Sequence, residues 1–370
     1  MEIFEPRNGL NAQHMTSKAH IIAFHLPQFH PTAENDVWWG KGFTEWTNTA
    51  KALPLFPDHY QPHVPTDLGF YDLRLPEARQ AQDDLAREHG IEAFCYDHYW
   101  FGGRRILERP VDEILKSGQP DFPFCLCWAN HSWNTAWQGT REMLIEQTYP
   151  GWDDHEAHFD WLLQAFKDPR YLTVDGKPIF SVYKPDDVPN VADVMAFWRE
   201  RAVRAGLPGL HIVGISHRSE KWDPRPRGMD ASAMQALPGH DGRIPRRYLA
   251  LKAKLALQGN KHKLTIWDYE DIRGSLLRSN QPDWLDYPIA LPNWDNTPRS
   301  GMRGLVFHNA TPELFRGHLQ EAISRVQARP ADQRIVFLKA WNEWAEGNHV
   351  EPDLKWGRAW LEVIRDELRA

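Results

Sequence analysis

The sequence predicts one closed (β/α)8 barrel, and three observations support this fold class. Apolar strand-like runs alternate with helix-like stretches along the 370 residues, a pattern typical of a parallel sheet covered by helices on both faces. About eight such strands are present, which fits a closed barrel better than an open sheet. Clusters of polar and aromatic residues follow several strands, at the rim where barrels form their sites. We therefore expect an N-terminal extension at 1–19 and a single barrel domain at 20–370.

The predicted strands are short apolar runs, and the predicted helices lie between them. In chain order the strands are expected at 20–26, 91–96, 122–128, 179–183, 211–215, 231–236, either 287–291 or 304–308, and 335–340. The helices are expected at 76–89, 111–118, 156–167, 193–206, 245–257, 312–327 and 357–369. A long loop from Pro27 to about Pro76 is too rich in aromatic residues to be disordered. It is predicted to fold as a cap over one side of the barrel mouth.

Charge and hydropathy exclude several classes of protein. The net charge of −7 argues against a nucleic-acid binder. The basic stretch 243–263 is interpreted as the exposed face of a helix, with a phosphate or other polyanion site as the alternative. No run approaches the roughly 18 continuous apolar residues of a membrane span, and the N-terminus lacks a secretory signal. The expected location is cytoplasmic, although export by another route stays open.

Cysteine usage also favours a cytoplasmic location and disfavours a metal site. Cys95, Cys125 and Cys127 all lie in apolar runs, and a sparse, buried, odd-numbered set is typical of reduced thiols in a cytosolic protein. Without further cysteines or ordered histidine spacing, a zinc site is not expected.

Tryptophan is the unusual component of the composition, with 18 residues. Exposed indoles are uncommon unless a ligand or partner covers them, and the apolar C–H faces of sugars stack well on indole rings. The sequence therefore predicts an oligosaccharide or polysaccharide substrate. The tryptophans expected to contact it are Trp39, Trp46, Trp128, Trp294, Trp341 and Trp344.

The clearest candidates for chemistry are Glu343 and Glu346, which follow the last predicted strand. A spacing of three residues in a turn places both carboxylates on one side. Carboxyl groups beside aromatic walls can acquire separate pKa values, as acid/base chemistry at a glycosidic bond requires. The alternative is structural, with Glu343 capping the next segment and Glu346 solvated.

Polar residues after other strands are predicted to bind sugar hydroxyls. They are His25, His30, Asp97, His98, Tyr99, Asn130, His131, Tyr183 and Asn342, with Glu45 and Tyr60 from the long loop. For His25 and His30, packing within the loop is the main alternative, because no carboxylate follows at a spacing typical of metal ligands. Asp97 either binds hydroxyls directly or orients His98. Dinucleotide, P-loop, nucleophile-elbow and D-x-D motifs do not occur in the sequence.

A series of segments resembles one known family. They are FHLPQFHPTAENDVWWGKGFTEWTN, PLFPDHYQPHVPTDLGFYDLR, GIEAFCYDHYWF, RPVDEIL, DFPFCLCWAN, PNWDNTPR and KAWNEWAEGNHVEPD. These look like WbsX-type proteins, which are similar to family 99 glycoside hydrolases (endo-α-mannosidases and endo-α-mannanases). The resemblance spans roughly residues 20–368 and implies a (β/α)8 barrel.

The resemblance also implies roles for two residues and no metal or cofactor. By similarity to the N-E-W-x-E motif, Glu343 acts as base on the 2-hydroxyl of the sugar, giving a 1,2-anhydro intermediate. Glu346 then serves as acid for the leaving oxygen and as base for water. WbsX-type proteins are also commonly labelled glycosyltransferases of surface-polysaccharide assembly.

The sequence departs from this family after the third strand. WbsX-type proteins usually read W-A-N-E-x-W there, whereas this chain has WANHSW, with His131 in place of the acid and Gln138 in place of a second one. Three hypotheses follow: a retaining hydrolase of an α-linked, mannose-like sugar, a glycosyltransferase of O-antigen or capsule assembly, and a sugar-binding barrel without activity.

Overall fold

The computed structural model is a closed parallel barrel. It describes residues 17–135, 140, 142–217, 219–239, 241–248, 250–251 and 264–369. The barrel strands are β1 (His20–His25), β2 (Ile91–Phe101), β3 (Phe124–Trp128), β4 (Lys177–Val182), β5 (His211–His217), β6 (Ala231–Gln235), β7 (Leu285–Ala290) and β8 (Ile335–Leu338). Each strand pairs in parallel with the next in the sequence, and β8 pairs with β1 to close the barrel. The predicted (β/α)8 fold is confirmed.

The structure decides between the two predicted positions of the seventh strand. The barrel uses Leu285–Ala290, whereas Leu305–His308 pairs with Thr265–Asp268 in a separate two-stranded sheet. Both runs are short and apolar, so periodicity alone does not distinguish them. The pairing of β7 with β6 and β8 identifies Leu285–Ala290 as the barrel strand.

The helices lie between the barrel strands and in the connecting loops. They are α1 (Ala33–Trp39), α2 (Glu45–Ala50), α3 (Pro76–Glu88), α4 (Arg109–Ser117), α5 (Trp152–Phe166), α6 (Val191–Arg204), α7 (Tyr269–Ile272), α8 (Thr297–Ser300), α9 (Pro312–Ser324) and α10 (Ala359–Arg369). Of the helix predicted at 245–257, Arg246–Tyr248 forms a 3-10 turn. Residues 252–263, with most of the basic stretch, lie outside the described residues, as do residues 1–16 of the predicted extension.

The core lies inside the barrel and between the barrel and its helices. Phe94, Leu126, Phe180 and Phe337 belong to one buried cluster that spans most of the strands. Cys95, Cys125 and Cys127 are buried and free. Among the described residues, no helix has both the length and the apolar character needed to cross a membrane.

The segment between β1 and α3 carries α1 and α2 and packs on the loop that follows β8. Phe29, Trp46 and Tyr71 from this segment form a buried cluster with Trp344. The Trp46 indole N–H donates to the carbonyl of Tyr71 at 2.8 Å, which fixes the ring inside the cluster. The long aromatic loop is therefore a folded part of the barrel mouth.

Candidate active site

A cavity of about 580 Å³ opens at the carboxyl ends of the barrel strands. Residues within or after every strand contribute to its lining: Phe24, Asp97, Tyr99, Cys127, Tyr183, Ile215, Gln235, Trp294, Glu343 and Glu346. In a closed parallel barrel all of these ends meet at one face, so residues that are distant in the sequence converge there.

Glu343 and Glu346 face this cavity from the turn that follows β8. Glu343 lies in the short strand Asn342–Glu343, and Glu346 ends the 3-10 turn Trp344–Glu346. Glu343 occupies the position before that turn, but its side chain makes no capping hydrogen bond. The two side chains are only 10% and 20% exposed. Neither structural alternative, a capping Glu343 or a solvated Glu346, describes this geometry.

Arg299 of α8 links the two carboxylates. Its guanidinium donates through Nη1 to Glu346 Oε1 at 2.8 Å and through Nη2 to Glu343 Oε2 at 3.2 Å. Arginine suits this role because its planar group carries several fixed donors. Sequence reasoning did not single out Arg299; the only signal was its place in the segment PNWDNTPR.

Glu45 of α2 holds Arg299 from the side away from the cavity. Both Glu45 carboxylate oxygens accept from Arg299 Nη2, at 2.8 and 2.9 Å, and one accepts from the Ala345 backbone N–H at 2.8 Å. Glu45 is fully buried and is not among the residues that line the cavity. Glu45 was expected to contact sugar hydroxyls; in the structure it instead forms an internal ion pair with Arg299.

The second buried cation beside the pair is Lys339, directly after β8. Its Nζ lies 3.7 Å from Glu343 Oε1. Burial opposes the charged form of this lysine, but Glu343, Glu346 and Asp97 together raise its pKa above the usual range. The side chain is therefore an ammonium ion, which is unsuited to act as an amine nucleophile.

Crowding of carboxyl groups separates their titration. Burial and then the charge of Glu343 raise the pKa of Glu346 to about 7, against the opposing effect of Arg299. Burial likewise raises the pKa of Asp97 to about 7, with Lys339 acting in the opposite direction. Near neutral pH this site can therefore both hold and release protons.

The structure places part of the predicted binding set on the cavity wall. The predicted residues that line it, besides the glutamate pair, are Trp39, Asp97, Tyr99, His131, Tyr183 and Trp294. β2 explains two of them, because it continues to Phe101 instead of ending at 96. Side chains alternate along a strand, so Asp97 and Tyr99 point inward together.

The same alternation carries other predicted residues away from the cavity. His98 stacks on Trp161 of α5, with ring centroids 4.5 Å apart. His25 contacts Gln82 of α3 at 3.2 Å, and Trp128 packs on Trp198 of α6. These side chains fill the layer between the barrel and its helices. They were expected to contact the sugar, but they face away from the cavity.

The remaining predicted residues do not line the cavity. Asn342 accepts from the Leu26 backbone N–H at 2.8 Å, and Asn130 bonds the backbone of Lys184. The other members of the set that do not line the cavity are His30, Tyr60, Trp46, Trp341 and Trp344. All of these except Tyr60 are buried.

Among the described residues, one group has the composition of a metal site. It consists of His63, His349 and Asp353, which are all buried. His349 Nδ1 donates to the Glu351 carbonyl at 3.0 Å, so its Nε2 accepts from His63 Nδ1 at 2.9 Å. Asp353 Oδ2 lies 4.0 Å from the same Nε2. One hydrogen bond joins the two imidazoles, and His349 stacks on Trp344; none of the three residues lines the cavity.

Comparison with solved structures identifies relatives in fold. Two structures of the GH99 endo-α-mannosidase from Bacteroides thetaiotaomicron align with TM-scores of 0.56 and 0.55 at 13% and 14% identity, each covering 95% of this chain and 96% of that chain. A glycoside hydrolase-like protein aligns with a TM-score of 0.58 at 16% identity, over 100% of this chain and 96% of that one.

Sequence comparison identifies the family. Two proteins called uncharacterized protein WxcX, from Xanthomonas campestris pv. campestris strains B100 and ATCC 33913, are 38% identical over 355 residues, which is 95% of this chain. The chain spans about half of their length, 50% in each case. The sequence profile described as Glycosyltransferase WbsX matches residues 21–364. The chain therefore belongs to the WbsX family.

Proposed function

We propose that this barrel is a retaining glycoside hydrolase that cleaves an α-linked, mannose-like residue of a surface polysaccharide. One observation carries the proposal: Glu343 and Glu346 project into one cavity and share the Arg299 guanidinium, with contacts of 3.2 and 2.8 Å. The similarity in fold to family 99 endo-α-mannosidases supports it.

In the first chemical step, Glu343 removes the proton of the sugar 2-hydroxyl. O2 attacks C1 as the bond from C1 to the leaving oxygen breaks, and Glu346 donates its proton to that oxygen. The product of this step is a 1,2-anhydro sugar. Glu343 is now protonated, and Glu346 is a carboxylate. The raised pKa of Glu346 favours the acid form that this step needs.

In the second step, Glu346 removes a proton from water, and the water oxygen attacks C1. The bond from C1 to O2 breaks, and O2 regains its proton from Glu343. Two inversions at C1 give net retention, and both carboxyl groups return to their initial states. Lys339 and Arg299 supply fixed positive charge beside the developing anions at O2 and the leaving oxygen.

A glycosyltransferase is the second candidate, and the description of the matching family profile favours it. In that case the cavity would take a nucleotide-linked donor and an acceptor instead of water. Both candidates need a sugar beside the glutamate pair and differ in what accepts the glycosyl group.

The test is product formation on bacterial surface polysaccharides and mannans without any nucleotide sugar. Wild type should release oligosaccharides, and Glu343→Gln and Glu346→Gln should lower the rate by about 10²–10⁴-fold because each removes a proton-transfer group. Glu321→Gln, on an exposed face of α9, is the matched control and should behave as wild type.

Transfer that requires a nucleotide sugar, in the absence of hydrolysis, would contradict the hydrolase and support the transferase. Binding of glycans without turnover of either kind would support the sugar-binding barrel.

A further inference from the structure

The cavity wall across from the glutamate pair carries a cation that is not paired with those two carboxylates: Arg299 and Lys339 lie beside Glu343 and Glu346, whereas Lys184 contacts Asp187. His131 follows β3 and Lys184 follows β4, and in the order of eight strands β4 lies opposite β8. Both residues line the cavity. Glu343 and Glu346 lie after β8, and His131 and Lys184, which we call the His131–Lys184 corner, lie on the far side of the cavity.

The corner is held in place by a buried amide. Asn130 Nδ2 donates to the Lys184 carbonyl, and the Lys184 backbone N–H donates to Asn130 Oδ1, each at 2.8 Å. Asn130 is fully buried. The two-point contact joins the end of β3 to the residues after β4, so the backbone that carries His131 and Lys184 is held in place.

One ring nitrogen of His131 has no hydrogen-bond partner in the part of the chain that the structure describes. This atom, Nδ1, is buried. The ring lies between Tyr99 and Tyr183, with centroids 6.5 and 5.3 Å away. Buried polar atoms are almost always satisfied, but no protein contact among the described residues fixes which ring nitrogen of His131 faces the cavity that it lines.

Lys184 supplies the positive charge of the corner, and His131 is neutral near pH 7. Burial, followed by the Lys184 ammonium, lowers the pKa of His131 to about 4, and Glu343 opposes this effect less strongly. The Lys184 side chain is 42% exposed, and its ion pair with Asp187 is long, at 3.9 Å. His217 is occupied by the Tyr183 carbonyl at 2.9 Å. Lys184 is therefore available to a ligand in the cavity.

We propose that the His131–Lys184 corner binds an anionic substituent of the sugar substrate, either a uronate carboxylate or a phosphate group. Lys184 supplies the charge, and neutral His131 donates one hydrogen bond. A charge-assisted contact of this kind selects acidic over neutral sugars. The inference deepens the proposed function, from which it takes only that the ligand is a sugar.

Equilibrium binding tests the proposal without any need for turnover. The affinities of mannose, mannuronate, mannose 1-phosphate and GDP are measured by titration calorimetry or ligand-observed NMR. Mannuronate or mannose 1-phosphate should bind about tenfold more tightly than mannose, the value of one charge-assisted hydrogen bond. Lys184→Gln and His131→Glu should abolish the difference, and Lys184→Arg should keep it.

Lys177→Gln is the matched control, because Lys177 begins β4 at the opposite end of the barrel and is paired with Asp175. Equal affinity for acidic and neutral sugars in wild type would overturn the proposal, and so would a preference that survives in Lys184→Gln. Lys184-dependent tight binding of GDP, without a preference for mannuronate or mannose 1-phosphate over mannose, would also overturn it, because the corner would then bind a nucleotide diphosphate. Circular dichroism checks that each variant is folded. Because binding is measured without turnover, a lack of hydrolytic activity does not affect the outcome.

Discussion

At the scale of single residues, one guanidinium forms ion pairs with three carboxylates and so sets their positions in the site. Arg299 contacts Glu45, Glu343 and Glu346 within 3.2 Å. Lysine would supply the charge from a single point but not the planar array of donors. Arg299 is thus a positioning residue for the glutamate pair.

Arg299→Lys should therefore lower kcat by about 100-fold, because displacement of a reacting group by about 1 Å has that cost. Steady-state kinetics on the polysaccharide identified by product release measures the effect. Arg204→Lys, which changes an exposed ion pair on α6, is the control and should leave kcat unaltered. Wild-type kcat in Arg299→Lys would show that the carboxylates hold their positions without the guanidinium.

Glu346 gives a prediction about pH at the same scale. Burial and Glu343 raise its pKa to about 7, so the acid form is populated below that pH and lost above it. As general acid Glu346 must start protonated, so kcat/KM should fall as pH rises through about 7. Because the carboxyl groups interact, this limb reports the cluster as a whole.

NMR of ¹³C-labelled carboxyl groups provides a direct check. In Glu343→Gln the pKa of Glu346 should fall, since the neighbouring negative charge is gone. An unchanged titration would mean that burial alone sets the value.

At the scale of elements, the loop after β8 is braced by one buried carboxylate. Glu351 accepts hydrogen bonds from Gln82 Nε2 at 2.8 Å, from Tyr71 Oη at 3.0 Å and from the Trp344 indole N–H. These donors come from α3, from the segment before it and from the turn Trp344–Glu346. The carboxylate thus ties three parts of the chain together at the back of the site.

Glu351→Gln should destabilise the protein by about 1–3 kcal/mol, because the new amide group faces donors and leaves one of them unsatisfied. Denaturant unfolding measures this change in the free energy of unfolding. Glu321→Gln serves again as control and should stay near wild type. A Glu351→Gln variant as stable as wild type would contradict the role of this carboxylate.

Element boundaries also explain which site residues the sequence could predict. The apolar runs identified the strands, but β2 extends five residues beyond the predicted end at 96. Its polar residues are therefore subject to strand alternation, which separates inward Asp97 from outward His98. A cluster treated as a loop gives no such distinction, so sequence reasoning placed both residues at the sugar.

At the scale of the whole molecule, closure of the barrel creates the site. Glu45 and Arg299 are separated by 254 residues, and Arg299 and Glu343 by 44. The fold was predictable because alternating strands and helices leave a periodic signal throughout the chain. The role of Arg299 was not predictable, because its contacts with the glutamates form only when the barrel closes and leave no periodic signal in the neighbouring residues.

Family membership and local geometry together define the central claim. The chain belongs to a family described as glycosyltransferases, yet two carboxyl groups that share one guanidinium line its cavity, and the proposed hydrolase mechanism rests on this pair. The claim that distinguishes these possibilities is that Glu343 acts through the 2-hydroxyl and Glu346 through the leaving oxygen.

The most direct measurement follows the first-formed product by ¹H NMR, for one cleaved α-linked substrate and for its counterpart lacking the 2-hydroxyl at the cleaved residue. If Glu343 acts through the 2-hydroxyl, the parent substrate should give the α-anomer first, and the 2-deoxy counterpart should bind without being cleaved. Release of the β-anomer, or cleavage of the 2-deoxy counterpart at a similar rate, would contradict this role.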